Sequence, residues 1–277
     1  MSQRPVKRPR GRPKSIFNDA PAPTVQALDR GLTLLAGLAR QDKASLTDLA
    51  LRIGMPPSSA HRLLATLQKH GLVEFDETAQ VWMIGVEAFR IGSAFTQRTD
   101  LVEAGREVMR HLMEETGETA NLAIADGGDV VFVSQVETPN PIRAFFPPGA
   151  RGDLHASGIG KALLAEMSRA EVEQLLQRKG LPEYTPKTIT SPAALFADLE
   201  RTRARGWAFD DEERHSGMRC LAAPVFNAFA ESVAGISISG PTVRFPEASL
   251  PDLAPKVRRA AAEVTKAIGG RLPDRPD

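Results

Sequence analysis

Residues 45–73 read SLTDLALRIGMPPSSAHRLLATLQKHGLV, and this stretch decides the fold of the first third of the chain. Ser45, with Asp48 three positions on, has the form of a capping box, so a helix is expected to start there. Leu46, Leu49, Ala50 and Ile53 then repeat at helical spacing and give one apolar face. Gly54 stops that helix, because a glycine takes the positive φ of a sharp turn without a Cβ clash. Pro56 and Pro57 suit only a turn or the first turn of the next helix. In that second helix Leu63, Leu64 and Leu67 point inward, leaving Ser58, Ser59, His61, Arg62, Gln68 and Lys69 outside. A helical hairpin with a solvated face and a DNA-reading helix-turn-helix both fit this pattern taken alone.

The flanking sequence separates the two. Val25, Leu28, Leu32 and Leu35 form the stripe of a preceding helix that ends near Arg40. After the second helix come Val73-Glu74-Phe75, a polar turn, and Val81-Trp82-Met83-Ile84, a β-hairpin. A helix, a helix-turn-helix and a hairpin in that order make a winged helix. Charge agrees: residues 1–100 hold 14 Lys/Arg against 9 Asp/Glu, and the remainder holds 21 against 25. The basic excess thus sits with the presumed reading head, where a polyanion would bind. Residues 1–23 are rich in Pro, Arg and Lys with no apolar periodicity, so they read as a disordered basic tail. Its Arg10-Gly11-Arg12-Pro13 has the form of an AT-hook, whose arginines enter a narrow minor groove. A solvated tail adding only phosphate attraction fits equally, and either reading points to DNA.

The chain of 277 residues is long enough for two domains, with 42% hydrophobic and 25% charged residues, as in an ordinary globular protein. A single cysteine, Cys220, rules out an intramolecular disulfide and a cysteine-based metal cluster. No apolar run is long enough to span a membrane and no signal core opens the chain, so a cytoplasmic location is expected. Residues 86–99 read as a linker helix, and the stripe Leu101, Ala104, Val108, Leu112 as a helix closed by Gly117. The period then changes. Residues 120–125 and 130–136 are strand-like runs around the hairpin turn Asp126-Gly127-Gly128-Asp129. Residues 142–146 suggest a strand ended by Pro147-Pro148-Gly149. Helices follow over 158–167, from the Ser168/Glu171 cap to Gly180, and from Ser191-Pro192 to Gly206. Strands at 218–226 and 233–239 precede a last helix carrying Leu253, Val257, Ala261, Val264 and Ile268. The order implies an α+β domain over 100–272 with an antiparallel sheet, and a short tail at 273–277.

With these elements in place the chain resembles the IclR family of bacterial transcriptional regulators, from Val25 to the last helix. The resemblance is carried by ALDR at 27–30, SSAHRLL at 58–64, ETGETA at 115–120, HASGIGKA at 155–162, GWAFDDEE at 206–213, CLAAPV at 220–225 and GISISG at 235–240. It implies a winged helix-turn-helix over 24–85, a GAF-like effector domain, and a homodimer or dimer of dimers on a double-stranded DNA operator. The candidate DNA contacts are Ser45, Ser58, Ser59, His61, Arg62 and Lys69, with Arg10 and Arg12 from the tail. Pro57 stands where many relatives carry Lys or Arg, which gives the tail a reason to supply extra grip.

The site implied for an effector resembles that of the glyoxylate-responsive, allantoin-pathway repressors of the family. The positions that match are Gly158, Ile159, Asp210, Cys220, Ser237 and Ser239. Amides at a helix start and hydroxyls on one strand face suit a small carboxylate, probed first as glyoxylate, with other oxo- or aromatic acids as alternatives. Asp210 is the odd member, since it repels an anion unless it accepts from a ligand hydroxyl. Cys220 reads either as a small buried hydrophobe or as a thiol that adds to an aldehyde. Asp211, Glu212 and Glu213 read as a solvated face, and His155 as a structural hydrogen bonder. No cofactor and no metal are expected, and no enzyme activity. The alternatives from other classes are a thiol enzyme built on Cys220, His155 and Asp210, and an architectural DNA binder led by the tail. Removing residues 1–23 is expected to weaken operator affinity and flatten its salt dependence while sequence preference survives, whereas Arg62→Ala relaxes that preference. Binding measured over a salt series on operator and scrambled duplexes checks both.

Overall fold

The computed structural model describes residues 24–97 and 101–273, and the tail arginines Arg10 and Arg12 lie outside them. Two compact units, Met1–Ala94 and Phe95–Asp277, divide the chain. In the first, α1 (Gln26–Ala39), α2 (Leu46–Ile53) and α3 (Pro57–Lys69) precede a hairpin of β1 (Val73–Asp76) and β2 (Val81–Ile84). The Ser45 hydroxyl caps α2 by accepting from the Asp48 N–H, and Gly54 ends it at φ 67°. Pro57 occupies the first turn of α3, where its missing N–H costs no bond. Leu38, Leu49, Leu64, Val73 and Trp82 form the core, and Ala44 bridges to Trp82, tying the wing to the α1–α2 connection.

The stripe expected to bury α1 is not the one that does. Gly31, Leu34 and Leu38 face the core, while Val25, Leu28 and Leu32 are 67, 60 and 54% exposed and Leu35 is half-buried. Helix α1 carries leucines on two sides, so periodicity alone does not say which side packs. The choice is made by the neighbours: Leu34 and Leu38 join Leu49, Leu64 and Trp82 in the core, with Gly31 on the same side of the helix beside Leu63 of α3.

Helix α4 (Val86–Gln97) follows the hairpin. The second unit then holds α5 (Leu101–Thr116), β3 (Thr119–Asp126), β4 (Asp129–Val136), β5 (Arg151–Asp153), α6 (Gly158–Leu164), α7 (Arg169–Lys179), α8 (Pro192–Arg205), β6 (Ala208–Asp211), β7 (Met218–Phe226), β8 (Ser232–Pro241) and α9 (Leu250–Ala267). The six strands are ordered β5-β4-β3-β8-β7-β6, all neighbours antiparallel. Helices α5 and α9 cover one face through Met109, Leu112, Val257 and Val264 against Leu122, Ile236 and Ile238. Helices α6 and α8 cover the other through Ile159, Leu163 and Leu195 against Ala123, Ala208 and Ala222. Central strands β7 and β8 are therefore buried on both sides.

Four expectations are corrected. Residues 142–146 form no strand; prolines at 141, 147 and 148 remove ladder donors around them, and Arg151–Asp153 takes the sheet edge instead. Helix α6 stops at Leu164, short of Met167. Strand β6 was not expected, because two of its four residues are acidic. The acidic run at 211–213 is no solvated face. Glu213 is buried and pairs with Lys161, while Asp211 pairs with Arg219 and Lys187.

Lys161 is 1% exposed, and its ammonium lies 2.5 Å from Glu213 Oε1 and 3.0 Å from Asp198 Oδ2 while donating to the Phe209 carbonyl. Burial works to lower the lysine pKa, but the two carboxylates outweigh it and hold it above the usual value. Lys161→Met leaves two buried carboxylates with no cation and is expected to destabilise the chain by about 3–5 kcal/mol. The triple change Lys161→Met, Glu213→Leu, Asp198→Leu recovers most of that loss, read by urea denaturation.

Candidate effector site and nucleic-acid interface

The register of the sheet assembles one polar row on the α6 face. Asp210 of β6 lies opposite Cys220 of β7, and Cys220 lies opposite Ser239 of β8. Direct partners in antiparallel strands share a face, so the three side chains stand side by side. Ser237, two residues from Ser239, points the same way and lies opposite Asn121 of β3. Ile236 and Ile238 alternate to the other face, into the α5–α9 core. A cavity of about 140 Å³ opens above this row, and Gly158, Ile159, Asp210, Cys220, Ser237 and Ser239 all line it.

Helix α6 closes the cavity at its N-terminal end. Ser157 caps it by accepting from the Gly160 N–H at 3.3 Å, and the Gly158 N–H is directed at the Cys220 sulfur. Gly158 has no substitute here, since a Cβ would stand 2.6 Å from Cys220 Sγ. Asn121, absent from the expected set, donates to Ser239 Oγ at 3.2 Å and Ser237 Oγ at 3.4 Å, and its own oxygen accepts from Gln135 at 2.8 Å. A lone amide inside the apolar run at 120–125 was the signal for it.

Asp210 accepts the Glu213 N–H at 2.8 Å. Burial, reinforced by the nearby Glu213 carboxylate, pushes its pKa up to about 7. Burial and the Asp210 charge likewise push the Cys220 thiol up to about 11, so it is a protonated, weakly nucleophilic group. The thiol-enzyme constellation is not assembled: His155 does not line the cavity, and its Nε2 lies 3.0 Å from the Pro182 carbonyl. Elsewhere on the wall Phe132 and Phe146 stack with centroids 4.6 Å apart. Arg214 pairs with Asp153 at 3.0 Å and lies 3.7 Å over the Tyr184 ring.

On α3, Ser58, His61, Arg62 and Lys69 are exposed and Ser59 is half-buried. Arg62 and Lys69 are seven residues apart, two helical turns, and so share a face with Ser58. The His61 ring meets Trp82 edge-on at 6.5 Å, joining α3 to the wing. The Ser45 hydroxyl is occupied by its cap, donating to Asp48 Oδ2 at 2.7 Å.

The sequence matches the family model of the IclR helix-turn-helix domain over residues 27–77 and that of the bacterial transcriptional regulator IclR C-terminal domain over residues 93–266. It is 48% identical to the HTH-type transcriptional regulator BhcR of Paracoccus denitrificans, over 95% of this chain and 96% of that protein. Identity to the transcriptional repressor IclR of Escherichia coli is 42%, over 96% of this chain and 98% of that one. The crystal structure of the Thermotoga maritima IclR superposes with a TM-score of 0.74 at 28% identity, covering 88% of this chain and 99% of that one.

Alkylation of Cys220 by iodoacetamide at pH 7.5 is expected to run about a hundredfold slower or more in the folded chain than in guanidinium, because the thiol is both buried and protonated. Mass spectrometry of timed aliquots gives the ratio.

Proposed function

This chain belongs to the IclR family of bacterial transcriptional regulators, and on that premise we propose that it is a ligand-responsive regulator whose effector is a small carboxylate, with glyoxylate the best fit. The observation that carries the reading is the convergence of the Gly158–Ile159 turn, Ser237, Ser239, Cys220 and Asp210 on one cavity. Backbone amides and hydroxyls donate to a carboxylate, and a hydrated aldehyde offers hydroxyls to Asp210. Size points the same way, since about 140 Å³ is well below the roughly 300–1,000 Å³ of sites for drug-sized ligands. The stacked Phe132–Phe146 pair favours a second reading, a larger or aromatic acid that displaces them.

In this reading residues 24–85 bind the operator, 86–99 connect, and 100–272 sense the ligand. Ser58, His61, Arg62 and Lys69 face base edges and phosphates, with Ser59 and the capped Ser45 at the margin and Arg10 and Arg12 adding grip. The exposed Val25, Leu28 and Leu32 stripe of α1 supports pairing of two DNA-binding units, as a two-fold operator requires.

Regulation then requires the ligand to prefer one DNA-binding geometry, with a coupling of about 1–3 kcal/mol. Saturating glyoxylate is expected to change operator affinity by about 5- to 150-fold, measured by fluorescence anisotropy beside pyruvate and glycolate. Calorimetry without heat from all three acids refutes the ligand class, and unchanged operator affinity at saturation refutes the coupling.

A further inference from the structure

Taken as a site for an anion, the cavity offers no free cation among the described residues. Arg214, on its wall, is paired with Asp153. Arg151, also on the wall, is paired with Asp126 and Asp129. His215, also on the wall, has its pKa held below the ordinary value by burial and by Arg214, which disfavours its charged form. Lys161, behind the wall on α6, is claimed by Glu213 and Asp198. The donors left are neutral: hydroxyls, the Cys220 thiol and α6 amides.

Into this cation-free space projects a carboxyl that is itself buried. Asp210 is 8% exposed, and its Oδ1 is taken by the Glu213 N–H. Asp210 belongs to the lining of the cavity, and among the described residues the bond from the Glu213 N–H is the one hydrogen bond its carboxyl makes. Two carboxylates, ligand and Asp210, cannot share so small a volume as anions without a counter-charge.

We propose that Asp210 occupies the loaded cavity as the un-ionised acid, its Oδ2 proton donated to the ligand carboxylate, so that binding of a monoanionic ligand draws a proton from solvent wherever the empty cavity holds Asp210 as the carboxylate. This rests on the carboxylate reading above and deepens it: Asp210 becomes a donor to the ligand carboxylate, beyond the acceptor for a ligand hydroxyl which that reading makes it. The groups around Asp210 favour the acid. Glu213 and Asp211 beside it are acidic, and Cys220 across the strand is neutral. Lys161 opposes them, but its charge is spent on Glu213 and Asp198. In the empty cavity Asp210 titrates near 7, so its proton is already held below that pH and is taken up on binding above it.

The test is calorimetry of the full chain with glyoxylate from pH 6 to pH 9, in buffers of low and high ionisation heat. Affinity is expected to stay nearly level at the acid end and to fall towards tenfold per pH unit above about 8. The buffer-dependent heat approaches one proton taken up per ligand over the same range. Asp210→Asn, whose amide is a permanent donor, flattens the profile and binds more tightly than the parent chain at pH 9. Glyoxylate binding with no pH dependence and no buffer-dependent heat overturns the proposal, as does an Asn variant that keeps the parent's profile. Absence of heat at every pH from glyoxylate, pyruvate and glycolate alike instead overturns the carboxylate reading on which the proposal stands.

Discussion

A single ammonium group buried in the second unit fixes the spacing on which the cavity depends. Removing Lys161 from water costs several kcal/mol, and that cost is offset only if its carboxylate and carbonyl partners are held in place. They come from three elements. Asp198 is on α8, Phe209 is on β6, and Glu213 is in the turn after β6. Lys161 itself is three residues past Gly158, on the helix whose first turn walls the cavity. The ion cluster thus clamps the α6 wall to the β6 wall. Glu213 serves both sides, since its carboxylate binds Lys161 while its N–H holds Asp210.

Close approach is the second condition. Helix α6 lies directly on the sheet, and two glycines permit it: a Cβ at Gly158 would meet Cys220 Sγ, and one at Gly235 would stand 2.6 Å from Ile159. Gly160 lets the preceding turn fold against the helix, where a Cβ would stand 2.1 Å from the Leu154 carbonyl oxygen. The cavity is what remains when a helix is brought this near to a strand face carrying serine and cysteine rather than leucine. Its small volume and its polarity have the same origin.

The two units use apolar residues in opposite ways. In the second, both faces of the sheet are covered by helices, so β7 and β8 read as nearly continuous buried runs. In the first, α1 has more apolar surface than its three-helix core consumes, and the excess faces outward. That outward stripe is the surface on which the proposed pairing of two DNA-binding units rests.

Much of this was legible in the chain. The helix-turn-helix follows from Gly54 and Pro57, whose backbone preferences leave few choices, and the 126–129 hairpin from two adjacent glycines, at φ 61° and 92°. Caps at Ser45, Ser168 and Ser191 placed helix starts for the same local reason. The six candidate ligand residues follow from resemblance, and the strand alternation behind Ser237 and Ser239 is a local property too. Contacts across the fold were not legible. Which stripe of α1 packs depends on α3, and whether residues 142–146 pair depends on which segment reaches the sheet edge. Glu213 reads as a surface acid until Lys161, 52 residues earlier, is brought against it. Asn121 and the raised pKa of Asp210 likewise arise from neighbours distant in sequence and from the loss of water around them. Backbone preference and periodicity act over a few residues, so sequence alone determined the elements and their order. Burial and ion pairing act between elements, so only the tertiary structure decided which charged groups are buried, which are paired, and which one faces the cavity.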